Sequence, residues 1–212
     1  MIIAIDGPAA SGKGTLAKRI ARHYGFAHLD TGMLYRGVAR DMIEAGENLD
    51  DPVAAQRAAQ RLDAAGLDDP ALRARNMGEA ASVVAQVPGV RAALFETQRA
   101  FARQHPGMVV EGRDIGTVIF PDADVKLYVT ADLSERARRR HGELTERGEA
   151  TTAKAVYADL EKRDRRDQSR PVSPLRMADD AHLLDTTKLD IETAFLAAVR
   201  LIEAAIGRSS QS

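Results

Sequence analysis

The sequence predicts an α/β fold, with a parallel sheet layered between helices. Three observations predict it. Short apolar runs, apolar on both faces and too short for helices, alternate with long helix-prone stretches. A glycine-rich loop joins the first run to the first amphipathic segment. The composition, 44% hydrophobic and 29% charged over 212 residues, is that of an ordinary globular protein with room for a real core.

The first run is Ile2-Ile3-Ala4-Ile5. After the loop, Leu16, Ala17, Ile20, Ala21 and Tyr24 recur at helical spacing, and Gly25 is a natural stop. Phe26-Ala27-His28-Leu29, Met108-Val109-Val110 and Val125-Lys126-Leu127-Tyr128-Val129 read as further strands, and Ala181-His182-Leu183-Leu184 as a weaker apolar run of the same kind. Residues 32–104 are Ala-rich and helix-prone, broken near Asp51-Pro52, Asp69-Pro70 and Pro88-Gly89. Residues 132–168 read as two helices split around Arg147-Gly148, with Pro171 and Pro174 marking the return to the core. A last helix is expected from about Asp190 to Ile206, then a frayed polar tail, Arg208 to Ser212.

Composition narrows the function. There is no cysteine, which excludes disulfides, thiol nucleophiles and thiolate zinc sites. No apolar stretch reaches membrane-spanning length, and the first residues lack the basic region of a signal peptide, so a cytoplasmic protein is expected. The net charge of -1 argues against general affinity for nucleic acid or membrane surfaces. That total hides an uneven distribution. Residues 136–170 hold nine arginines and two lysines against seven acids, a surplus of +4, and the remainder carries -5.

The strongest signal is Gly7-Pro8-Ala9-Ala10-Ser11-Gly12-Lys13-Gly14-Thr15. Its glycines let successive N–H groups face phosphate oxygens, the next helix adds its positive end, and Lys13 reaches the β- and γ-phosphates. Gly14 follows the lysine where most such loops place a metal-holding Ser or Thr, and Thr15 comes one position later. That pattern favours a small-molecule kinase over a switch GTPase. The switch alternative has two short matches, Asp63-Ala64-Ala65-Gly66 and Thr187-Lys188-Leu189-Asp190. Gln60-Arg61-Leu62 is not a buried strand, however, and Asp190 reads as the start of the last helix.

Further motifs follow in order: Leu29-Asp30-Thr31-Gly32 with Tyr35-Arg36, Ala81-Ser82 with Val90-Arg91, and Gln98-Arg99-Ala100-Phe101. Then come Glu111-Gly112-Arg113-Asp114-Ile115-Gly116-Thr117 running to Phe120-Pro121-Asp122-Ala123, Arg163-Asp164-Arg165-Arg166-Asp167 with Arg170 and Pro174-Leu175, and Leu184-Asp185-Thr186-Thr187. Over almost its whole length the sequence resembles the bacterial cytidylate kinases. The resemblance implies a P-loop NTP hydrolase-like three-layer fold with a five-stranded parallel sheet. It implies one kinase domain over 1–212, with a core of 1–35, 105–131 and 171–212, a helical NMP-binding insert at 36–104 and a helical lid at 132–170. It implies transfer of phosphate from ATP, with Mg2+, to CMP or dCMP by a monomer. Another P-loop kinase, adenylate-kinase-like, is the alternative within this class.

By the same resemblance Thr31, Arg36 and Arg113 sit near the monophosphate. Ser82, Arg91 and Asp114 take part in recognising cytosine. Arg163, Asp167 and Arg170 come from the lid. The chain departs from the family in two places. Leu67 to Ala74 is too short and helix-prone for the usual β-hairpin, and Glu111 stands where Asp is common. Magnesium is expected to lean mainly on phosphates and water, with Glu111 as one acidic group within reach.

These residue types suit phosphoryl transfer, whose demands are positioning and charge stabilisation. Guanidiniums are always charged and fork onto phosphate oxygens. Arg163, Arg166, Asp167 and Arg170 are spaced to share a helical face, as are Arg136, Arg139 and Arg140, and Arg136 and Arg139 are assigned to ATP. Local pairs such as Glu135–Arg139 offer an ordinary solvated alternative. Asp114 with Ser82 as acceptors and Arg91 as donor would separate cytosine from uracil. The five histidines lack metal-ligand spacing, and Asp50-Asp51, Asp68-Asp69 and Asp179-Asp180 fit turns or caps.

Overall fold

The computed structural model describes residues 1–63 and 66–209. Five strands are present: β1 (Ile2–Asp6), β2 (Ala27–Asp30), β3 (Met108–Gly112), β4 (Val125–Thr130) and β5 (His182–Asp185). They form one parallel sheet in the order β2-β3-β1-β4-β5. The apolar runs are continuous because the central strands are covered on both faces. Ile3, Ile5 and Val109 pack with Leu16, Ile20, Ala198 and Ile202, from helices α1 (Lys13–Tyr24) and α8 (Ile191–Ser209). Ala4, Met108 and Val110 face the other way, against Ile115, Ile119, Phe120 and the Phe101 side of α5 (Pro88–Arg103).

The remaining helices are α2 (Thr31–Glu44), α3 (Pro52–Arg61), α4 (Arg75–Val84), α6 (Leu133–Glu146) and α7 (Ala153–Ser169). With α5, the first three enclose a separate apolar cluster that includes Leu34, Val38, Met42, Leu72, Val84 and Leu94. Helices α6 and α7 pair through Ala137, Leu144, Val156 and Leu160 over Ala9 of the glycine-rich loop. The short segment expected to lack a hairpin carries a 3-10 turn, Pro70–Arg73, and no strand is present among the described residues of 36–104.

Breakers act as their chemistry predicts. Gly25 ends α1 in the left-handed region, φ 67°. Asp51 starts α3 by accepting from the N–H groups of Val53 and Ala54, with Pro52 in the first turn. Asp69 caps the 3-10 turn through Ala71 N–H. Asp179 and Asp180 lie in a turn, as expected, and Asp180 also pairs with Lys126 Nζ at 2.7 Å. The last helix runs three residues past Ile206, so Arg208 and Ser209 are helical rather than frayed, and Ser210 to Ser212 lie outside the described residues. Ala64 and Ala65 of the Asp63–Gly66 match also lie outside them.

The turn leaving β1 is constrained sterically. Gly7 has φ 152°, and a β-carbon there would sit 2.0 Å from the carbonyl oxygen of Val129 on β4. Gly7→Ala is therefore expected to cost about 3 kcal/mol or more. Thermal or urea denaturation checks this, with a change within 0.5 kcal/mol, roughly that of a neutral surface change, counting against it.

Candidate active site

The site forms at the carboxyl ends of β1, β2 and β3, where an open parallel sheet offers a crevice. Ala10 (φ 60°) and Gly12 (φ 84°) take left-handed conformations that curl the loop ahead of α1. Ala9, Ala10, Gly12, Lys13, Gly14 and Thr15 line a cavity of about 430 Å³. Gly7, Pro8 and Ser11 do not line it. Lys13 is buried, and Nζ donates to Pro8 O at 3.2 Å. Burial, reinforced by repulsion from Arg113, lowers its pKa to about 7.

Asp6, the last residue of β1, fixes the segment after β3. Its carboxylate accepts from Ile115 N–H and Gly116 N–H, each at 2.8 Å. Burial raises its pKa to about 7 although both hydrogen bonds oppose that. These bonds hold the π-helical turn Ile115–Ile119, so Arg113 and Asp114 enter the cavity from a backbone tied to β1. Thr31 Oγ1 donates to Glu111 O at 2.8 Å and joins the start of α2 to β3. His28, read from sequence only as one of five scattered histidines, lies 3.2 Å from Glu111 Oε1 through Nε2.

Arg91 from α5 is buried and hydrogen-bonds Asp114. Its guanidinium lies 5.6 Å from the Tyr35 ring centre, and burial raises the Tyr35 hydroxyl to about 12. Ser82 from α4 donates to Asp167 Oδ1 at 3.1 Å, and Arg113 Nε donates to Asp167 Oδ2 at 3.0 Å. Arg163 is 3.9 Å from the same carboxylate. Burial opposes charge on Asp167, but Arg113, Arg163 and Arg170 outweigh it and hold its pKa below the ordinary value.

Two expectations about helix faces need correction. Arg170 caps α7 with extended backbone (ψ 133°) and donates to Ser173 O, so it leaves the face of Arg163 and Asp167 yet still lines the cavity. Arg166 turns away to Glu79 on α4 at 2.6 Å. Of the α6 arginines only Arg140 lines the cavity. Arg136 donates to Ala131 O, Ala9 O and Asp164, and Arg139 to Glu135 and Thr186. Both therefore brace the loop's surroundings. Arg147 and Arg73 line the cavity and were not singled out by sequence. Nothing in their spacing sets them apart from other surface arginines.

Lys13, Arg36, Arg113 and Arg163 converge on this one cavity. Burial lowers Arg36 and Arg163 to about 10 each, and the charge on Arg113 pushes both in the same direction. Such crowding of cations is stable only with anions among them. Asp30, Glu111, Asp114 and Asp167 supply part, and phosphate groups would supply the rest. Buried Nε–H groups of Arg91, Arg163 and Arg170 have no hydrogen-bond acceptor among the described residues.

The family profile described as Cytidylate kinase matches residues 3–204. The chain belongs to the cytidylate kinase family. It is 55% identical over 205 residues to a cytidylate kinase of Rhizobium meliloti, covering 97% of each chain. It is 57% identical over 204 residues to one of Rhodopseudomonas palustris, covering 96% of each. The fold also matches a crystal structure of an uncharacterized protein from Eubacterium ventriosum, with TM-score 0.56, 18% identity, and coverage of 96% and 98%. The second short match to a guanine-binding motif has a structural explanation in this family member. Asp190 accepts from Thr193 N–H at 2.7 Å at the start of α8, and Thr187 Oγ1 donates to Asp185.

The Lys13 shift generates a testable sign. A phosphate beside Nζ favours the ammonium, so nucleotide binding at pH 8 should draw close to one proton onto Lys13, and almost none below about pH 6. Affinity should therefore fall as pH rises above 7. Calorimetry in buffers of different ionisation enthalpy measures the uptake, and Lys13→Met should remove it. Equal uptake by both proteins would contradict the assignment.

Proposed function

We propose that this chain transfers the γ-phosphoryl group of ATP to CMP and dCMP, yielding ADP and the corresponding diphosphates. The observation that carries the reading is the convergence of Lys13, Arg36, Arg113 and Arg163 on one cavity that also holds Ser82, Arg91 and Asp114. Family membership supports the same activity. Residues 7–15 form the ATP phosphate site, and Lys13 takes the β- and γ-phosphates. Thr31, Arg36 and Arg113 hold the acceptor phosphate, and Arg163 and Arg170 close over the transferred group. An acceptor phosphate oxygen attacks the γ-phosphorus as the bond to the bridging oxygen of ADP breaks. The arginines hold donor and acceptor in line and take up the charge that spreads between them.

Arg91 and Asp114 form a donor and an acceptor side by side, which suits cytosine N3 and its 4-amino group. Ser82 and Asp167 hold one another beside them and serve the base or ribose. Arg136 and Arg139 act on the donor side through Ala9 and Thr186 rather than by lining the cavity. Residues 36–104 and 132–170 are the insert and lid that close on the core, each with its own apolar cluster. No helix among the described residues is long and apolar enough to cross a membrane.

Asp30 and Glu111 line the cavity and both act on the charge of Lys13, and their oxygens suit magnesium. In this reading the ion is carried chiefly by phosphates and water, with Glu111 as an acidic group within reach. Bound with ATP, magnesium supplies further neutralisation of the phosphates.

An ADP-release assay with a panel of monophosphates tests the reading. Turnover should require CMP or dCMP, whereas a requirement for AMP would replace it with an adenylate-kinase-like activity. Lys13→Ala should remove most turnover with the fold retained. Ser82→Ala should narrow the preference for CMP over UMP by about 10-fold, the worth of one buried hydrogen bond. An unchanged ratio would leave Ser82 as packing alone.

A further inference from the structure

In the sequence His28 carries no motif, and Gly14 stands where most such loops carry a metal-holding hydroxyl. The structure brings the two to the same carboxylate. Strands β2 and β3 pair in parallel with Asp30 opposite Glu111 and His28 opposite Val109. This places His28 and Glu111 on the face that carries α1, where Val109 packs with Leu16 and Ala17. Glu111 is 4% exposed, and its carboxylate reaches both neighbours. Nε2 of His28 lies 3.2 Å from Oε1, and an ionised carboxylate has no proton to give, so the imidazole donates. On the other side, a β-carbon at Gly14 would lie 3.1 Å from Oε1 and 3.3 Å from Oε2. A β-carbon at position 14 would press on the carboxylate, which would have to give by a few tenths of an ångström.

We propose that His28 is a positioning residue that holds the Glu111 carboxylate against Gly14, in the space where most phosphate loops carry a metal-holding hydroxyl. Glutamate has one more methylene than aspartate and one more torsion to fix. Its carboxylate reaches the loop only if something pins its far side. His28 supplies that pin, and the bare α-carbon of Gly14 supplies the room. The three residues thus form one unit: the hydroxyl missing from the loop is replaced by a carboxylate from β3, held by an imidazole from β2. This inference rests on the kinase reading above, in which Glu111 serves the divalent cation of the nucleotide.

The test is Mn2+ binding to the full-length protein in its ADP complex, followed by the paramagnetic signal of free Mn2+. His28→Ala should weaken Mn2+ binding about 10-fold, as loss of an outer hydrogen bond to a metal-facing carboxylate does. His28→Gln, which keeps an N–H donor, should stay within about 3-fold of the unaltered protein. In a Glu111→Asp background the shorter side chain no longer reaches the imidazole, and His28→Ala should change binding by less than about 2-fold. If His28→Ala does not fold, His28→Asn, whose amide is too short to reach, takes its place. A readout without nucleotide comes from Gly14→Ala, which should lower Tm in the unaltered protein and less so with Asp at 111. Unchanged Mn2+ affinity on removing His28, or equal losses in both backgrounds, would overturn the proposal. An unaltered protein with no ADP-dependent Mn2+ site would instead bring down the reading of Glu111 itself.

Discussion

The arrangement of the cavity depends on one buried carboxylate. Asp167 comes from α7, yet its two oxygens meet Ser82 of α4, Arg113 after β3 and Arg163 one turn back on its own helix. Those partners belong to α4, the segment after β3 and α7, so a single side chain joins three separately packed parts of the chain. Burying such a charge costs several kcal/mol unless it is paired and hydrogen-bonded, which ties its position to all three at once. When any one region moves away, the others lose a partner as well.

The arginine surplus of residues 136–170 looks different in this light. Arg138 and Arg165 pair with acids on their own helices, and such exposed pairs contribute little, while Arg139 is half-buried between Glu135 and Thr186. Arg136 and Arg166 fasten α6 and α7 to Ala9, Asp164 and Glu79. Only Arg140, Arg147, Arg163 and Arg170 of the block line the cavity. The field in the cavity is completed from elsewhere, by Lys13, Lys18, Arg36, Arg73, Arg75, Arg91 and Arg113, which are spread along the sequence.

The elements were legible in the sequence because their signals are local. A run such as Ile2 to Ile5 must be covered on both faces, Asp-Pro starts a helix through its own carboxylate, and Gly25 can adopt a left-handed stop. The helical character of 36–104 was legible for the same reason. Fates decided by long-range partners were not. Asp180 resembles any turn aspartate until Lys126 is seen beneath it, and Arg166 resembles Arg163 until Glu79 claims it. Arg170 has the right spacing for the shared face, but the helix ends beneath it.

By itself the sequence determined the phosphate loop, the alternation of strands and helices, and the family. Each is written in contiguous residues whose backbone demands are met within a few positions. Only the tertiary structure decided which cations face the cavity and which brace it, and that His28 and Gly14 address the same carboxylate. Spacing along a chain reports which side of a helix or strand a residue occupies. It does not report what stands opposite, and for a charged group the partner opposite sets its energy, its ionisation and its use.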